Sequence, residues 1–182
     1  MIDDCVCRFL FDDLDIRGAF VRLGPVWRQM VENRDYPMPA LRLLGEMSAT
    51  TVLLGDELKQ PGRLTVQLRG NGPISLLVID CDEQLQLRGM ARCAGQPPGD
   101  SVPELLGDGQ LLLSLDVPAQ REPYQSIVPL DGKTISEVFE HYLRQSDQLP
   151  ARFLLAASSA AAAGLFLQKL PTAEQRDVDG WT

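Results

Sequence analysis

Four cysteines, a single histidine and two clusters of acids are the residues of this 182-residue chain whose types could do chemistry. Cys5 and Cys7 stand two apart in CVCRFLF, a predicted strand that would turn both thiols to one face, where a Cys-x-Cys pair can give two ligands to zinc. A tetrahedral site needs a second pair. Cys81 and Cys93 lie at opposite ends of a later predicted strand, and His141 falls inside a predicted helix with no ligand four residues away. The four thiols therefore read as small apolar fillers or partly exposed groups. Asp80-Cys81-Asp82-Glu83 could be a cation cluster or an activated thiol, but neighbouring carboxylates raise a thiol pKa, the wrong direction for a nucleophile. It reads as a β-turn, and so do Asp12, Asp13 and Asp15. A hydrolytic triad would have to combine Ser136 or Ser146 with His141 and Asp131 or Asp147, all on or beside one amphipathic helix and without a nucleophile elbow. There is no GxxxxGK[ST] and no GxGxxG after a strand, hence no ATP site. The expectation is a protein that is not an enzyme, with no catalytic, cofactor-binding or metal-binding residue assigned.

Composition narrows the partners. A net charge of −8 and a pI near 4.6 argue against a nucleic-acid surface. Hydrophobic residues at 45% and charged residues at 23% are those of a globular domain, and the length suits a single one. No run reaches the roughly 18 apolar residues of a membrane span, and the acidic opening Met1-Ile2-Asp3-Asp4 is unlike a signal peptide. A cytoplasmic location is expected, with cysteines kept as thiols.

The elements that must position everything else centre on residues 64–80, LTVQLRGNGPISLLVID. Two β-rich runs flank Gly70-Asn71-Gly72-Pro73, a hairpin signature. Pro73 has no N–H to close a two-residue loop, so a four-residue loop closed by Arg69 and Ile74 is expected. That register opposes Val66 to Leu77 and Leu64 to Ile79 on one apolar side. On the other side it opposes Thr65, Gln67 and Arg69 to Val78, Leu76 and Ile74, so the second strand should be buried on both faces. The hairpin's apolar side needs a cover, and residues 39–59 supply one: a helix whose Leu43, Leu44, Met47, Val52 and Leu53 spread over more than one face. Its small residues Gly45, Ser48, Ala49 and Thr50 suit close packing on a sheet, and Arg42 and Glu46 form an i, i+4 pair. Residues 84–92 alternate with Leu85 and Leu87 inward and extend the meander as a third strand.

Around this centre stand two N-terminal strands (5–11 and 16–23) and a short helix opened by Pro25. A helical turn at 103–106 carries a Ser101/Glu104 capping box. A second ribbon is expected from 111–117 and 124–130, followed by a helix capped by Thr134 and Glu137. A last hairpin spans 152–155 and 165–170, with 158–164 (SSAAAAG) as a flexible loop. The fold class is α+β: antiparallel sheets, built from hairpins and a meander, packed around a largely buried central helix. Residues 172–182 are polar and without period, like the start of a linker.

Several separated motifs resemble the 33 kDa chaperonin family, the redox-regulated heat-shock holdases of bacteria. They are FLFDDLDIRGAFVRL, NRDYP, LLGDELK, GRLTVQLRGNGPISLLVIDCDEQLQLRGMAR and YQSIVPLDGKTISEVFEHYLRQSDQLPARFLLA, in the family's order. The resemblance implies that residues 1–171 are the substrate-binding core, that 172–182 begin the linker, and that the family's C-terminal zinc domain is absent. That domain carries the family's Cys-x-Cys and Cys-x-x-Cys ligands near the C-terminus. Cys5 and Cys7 are at the wrong end, so no zinc ligand carries over. The resemblance thus implies an ATP-independent holdase without its own redox switch, binding unfolded proteins and forming dimers. The alternative is a passive dimerisation or interaction domain. No client-binding residue is assigned, because periodicity marks a face as apolar without saying what covers it.

Overall fold

The computed structural model describes residues 3–58, 60–118, 121–146 and 148–171. The proposed linker, 172–182, and the candidate Asp147 lie outside them. Two antiparallel sheets enclose one long helix. The first sheet joins the two ends of the chain: β1 (Cys5–Phe11) and β2 (Ile16–Leu23) form an N-terminal hairpin, β8 (Ala151–Ala157) and β9 (Ala162–Lys169) a C-terminal one, in the order β1-β2-β9-β8. The second is five-stranded, with order β5-β4-β3-β6-β7, from β3 (Arg63–Gly70), β4 (Ile74–Cys81), β5 (Leu87–Cys93), β6 (Gly109–Asp116) and β7 (Tyr124–Pro129). The ribbon of β6 and β7 is therefore not separate from the meander, since β6 pairs along all of β3.

Helix α2 (Met38–Asp56) lies between the sheets, with α1 (Pro25–Val31), α3 (Val102–Leu106) and α4 (Ile135–Ser146) around it. Twelve of its residues are buried, on every side of the helix. Its polar residues are self-satisfied: Ser48, Thr50 and Thr51 donate to the carbonyls of Leu44, Glu46 and Met47 at 2.7, 2.9 and 2.7 Å. The small-residue stripe is packing, as expected. A Cβ on Gly45 would collide with the Cβ of Ala157 and come within 3.2 Å of Ala162 and Trp27. Against the other sheet α2 meets Leu64, Val66, Leu68, Leu77, Ile79 and Cys81, the buried side of the opening hairpin.

The hairpin register is shifted by two from expectation: Val66 faces Ile79, Leu64 faces Cys81 and Arg69 faces Leu76. The cause is tertiary. Gly72 N–H donates to the carbonyl of Leu106 at 2.9 Å, and Ile74 pairs with Cys93 across a β4/β5 irregularity, so the loop is anchored by α3 and β5 and is longer than four residues. A shift of two preserves which side chains face inward. It leaves Thr65 and Gln67 opposite Asp80 and Val78, and β4 is half-exposed on that face instead of buried on both.

Three further expectations are corrected. The Asp82 carboxylate accepts from the N–H groups of Gln84 and Gln86 at 3.0 and 2.9 Å, and Leu85 takes φ 59. The turn is therefore 82–86, β5 starts at Leu87, and Asp80 and Cys81 belong to β4. Ala162, Ala163 and Gly164 are strand, not loop, because small side chains are what allow β9 to lie against Gly45 and Ala49; only 158–161 turn, closed by Ser158 N–H to Ala161 O at 2.9 Å. Arg42 pairs with Asp100 at 2.6 Å and not with Glu46. The capping boxes of α3 and α4 are present, with Ser101 N–H on Glu104 at 3.1 Å and Glu137 N–H on Thr134 Oγ1 at 3.2 Å.

Candidate functional site

The residues that chemistry suggested do not converge. Cys5 and Cys7 project from edge strand β1, Cys81 is buried beneath α2, and Cys93 sits on β5 of the other sheet. Among the described residues no three His, Cys, Asp or Glu groups are arranged to hold a metal ion. The four thiols thus do not fit a zinc ion. Burial, reinforced by Asp82 and Asp56, pushes the Cys81 thiol up to about 12, and burial raises Cys93. His141 hydrogen-bonds through Nδ1 to the backbone carbonyl of Asp131 at 2.7 Å, on an exposed helix side. This is a helix-to-turn tie and not a base aligned by a carboxylate.

What the fold does assemble is a face. In the four-stranded sheet the residues directed at α2 are Ala19, Val21 and Leu23 of β2, Phe166 of β9 and Phe153 of β8. Alternation then sends the other set outward. Phe9 and Phe11 of β1, Phe20 of β2, Leu165 and Leu167 of β9 and Leu154 of β8 share the opposite side, with Cys7, Ala156 and Ala163 among them. This side is as apolar as the inner one. Leu154 is 65% exposed, Phe11 46% and Phe20 36%. Phe9 and Phe11 meet edge to face with centroids 5.3 Å apart, and the Phe9 ring occupies the space over Gly18 that any side chain there would fill. Beside the face, Leu10 and Leu14 are also open, at 54% and 42%. Arg22, Arg152 and Lys169 supply its cationic margins.

The sheet that presents this face is pinned from behind. Trp27 Nε1 donates to Ser158 O at 2.8 Å, Arg8 pairs with Asp56 at 2.5 Å, and Arg17 pairs with Glu57 at 2.9 Å. Phe153 N–H and Arg152 both donate to Glu140 of α4, at 2.9 and 2.8 Å. The platform is therefore fixed to α1, α2 and α4, while among the described residues its outer side is left open. Sequence alternation could not single it out, because β1 and β9 are apolar at nearly every position.

The family model described as Hsp33 protein matches residues 4–181. The chain belongs to the Hsp33 family. It is 40% identical to the 33 kDa chaperonin of Pseudoalteromonas translucida over 98% of its own length and 65% of that protein, and 43% identical to that of Shewanella sp. strain ANA-3 over 98% and 63%. The crystal structure of the 33 kDa chaperonin from Thermotoga maritima superposes with a TM-score of 0.82 at 25% identity, covering 96% of this chain and 64% of that one. The chain thus spans a little under two thirds of the length of these Hsp33 relatives. The two-sheet, central-helix architecture is the Hsp33 fold. No helix among the described residues is long and apolar enough to cross a membrane.

Proposed function

We propose that the chain is the substrate-holding core of an ATP-independent cytoplasmic chaperone. It binds apolar segments of unfolded proteins and keeps them from one another. The observation that carries this reading is the open outer face of the four-stranded sheet. A contiguous apolar surface centred on Phe11, Phe20 and Leu154 costs solvation and marks an interaction site. Aromatic and aliphatic side chains on a flat sheet give area without demanding one client sequence, as holding requires. Membership of a family whose relatives are named chaperonins points the same way.

Light scattering by a thermally unfolding enzyme tests it. The chain, at a ratio near equimolar and without ATP, is expected to suppress scattering, and Phe20→Ser with Leu154→Ser to remove most of that suppression while the fold, followed by circular dichroism, is kept. Unchanged scattering with the parent chain would leave only a passive interaction domain. Because the four thiols do not gather into a metal site, a zinc chelator or a mild reductant is expected to leave the activity as it was. Dimerisation belongs to the same proposal, and a monomer in sedimentation at high micromolar concentration would remove it.

A further inference from the structure

The outward side of the five-stranded sheet is chemically unlike that of the four-stranded one. Across β5, β4 and β3 its side chains fall into rows: Arg92, Leu76, Arg69; then Met90, Val78, Gln67; then Arg88, Asp80, Thr65. The last row is neutralised internally, since Asp80 accepts from both Thr65 and Arg88, the latter at 3.0 Å. The first row is not. Arg69 and Arg92 are exposed, and among the described residues no carboxylate lies within ion-pairing distance of either; the side chain beside Arg69 on the same strand face, Gln67, is neutral. Leu76, between them, and Val78 and Met90 beside them are only partly covered. The helices α1 and α2 pack on the other side, where Met30 reaches Gly89.

Two unneutralised guanidiniums around partly open aliphatic groups run against the average of a chain with 25 acids and 17 bases. Like charges held in one row repel, and an anionic partner relieves that repulsion. The two arginines stand two strands apart, about 10 Å by ordinary strand spacing. A polypeptide in the extended polyproline-II form repeats its face every three residues, about 9 Å. We propose that this face docks an acidic, extended polypeptide segment with carboxylates at i and i+3, one to each of Arg69 and Arg92, and aliphatic side chains set against Leu76, Val78 and Met90. Arginine forks and carboxylates match geometrically, and the aliphatic floor excludes water around the pairs. The inference does not depend on the holding activity of the other sheet.

The test is fluorescence anisotropy of a labelled peptide carrying Glu at i and i+3 among Leu and Val, titrated with the whole chain, against a twin in which Gln replaces Glu. The acidic peptide is expected to bind at least about tenfold more tightly than its twin at low salt, with the gap closing as salt screens it. Arg69→Gln and Arg92→Gln are each expected to weaken the acidic peptide about fivefold or more, with unchanged thermal unfolding. Phe20→Ser, on the other sheet, is expected to leave it unaffected. Equal binding of the twin, full binding by Arg92→Gln, or loss in Phe20→Ser would overturn the proposal. So would self-association that the arginine substitutions abolish, which would assign the face to a second copy of the chain.

Discussion

Cys81 and Cys7 are the same residue type in opposite circumstances. Cys81 is 1% exposed, its sulfur 3.3 Å from where a Cβ on Gly55 would stand, and its thiol pushed to about 12 leaves roughly one molecule in 10⁵ as thiolate at neutral pH. Cys7 is exposed on the edge strand. Iodoacetamide should therefore label Cys7 in the native protein and reach Cys81 only in denaturant, read by peptide mass; equal native rates would contradict the burial argument. The direction of the Cys81 shift is legible in its acidic neighbours, but burial, invisible locally, is its largest cause, and one of the acids involved, Asp56, comes from the end of α2. Glu46 is a second case. Burial raises its carboxyl from 4.5 to about 7, with Arg42 opposing and Asp100 reinforcing. A folded-state pKa above the unfolded one means that the native state holds the proton more tightly. The contribution of this group to stability is thus most favourable below about 4.5, falls as pH rises toward 7, and carries the full penalty above it. The shift caps that penalty at about 3 kcal/mol, and partial exposure lowers it. Glu46→Gln should raise the melting temperature more at about pH 8 than at about pH 5, in paired thermal melts. An equal change at both would show that Glu46 is ionised throughout.

At the scale of elements, α2 decides most of the structure, and Gly45 shows how. In a helix interior alanine is favoured over glycine by about 1 kcal/mol. Here the added Cβ would strike Ala157 and press on Ala162 and Trp27, whose positions are set by strand backbones and a buried indole. Overpacking of that kind costs about 1–3 kcal/mol and exceeds the propensity gain, so Gly45→Ala is expected to lower the melting temperature and Gly45→Leu to lower it further. Stabilisation by Gly45→Ala would mean that the sheets can separate slightly at that point. The existence and type of the elements were legible because their periods are strong: α2, both capping boxes and the alternation of β3 all come from contiguous residues. Apart from the 82–86 turn, which the Asp82 carboxylate makes locally on Gln84 and Gln86, the misread features are those settled by distant partners. The hairpin register depends on Leu106, and the status of 162–164 depends on the face of α2 that β9 must approach.

For the whole molecule, the layering is sheet, helix, sheet, which leaves each sheet with one face that no helix among the described residues roofs. One such face is aromatic and aliphatic, the other carries unneutralised arginines, and neither could be located from sequence because both depend on which strands become neighbours. The order β1-β2-β9-β8 has a consequence in time. Residues 16–23 pair at once with β1, but their second partners, 162–169, do not exist until nearly the entire domain has been synthesised. At about 5–20 residues per second that is a wait of roughly seven to thirty seconds. Meanwhile β3 to β7 pair only among themselves and have already left the ribosome. The apolar platform is consequently the last part of the domain to be completed, and during translation the nascent N-terminal hairpin is itself an aromatic-rich segment with one strand edge unpaired, of the kind that a holding chaperone would bind.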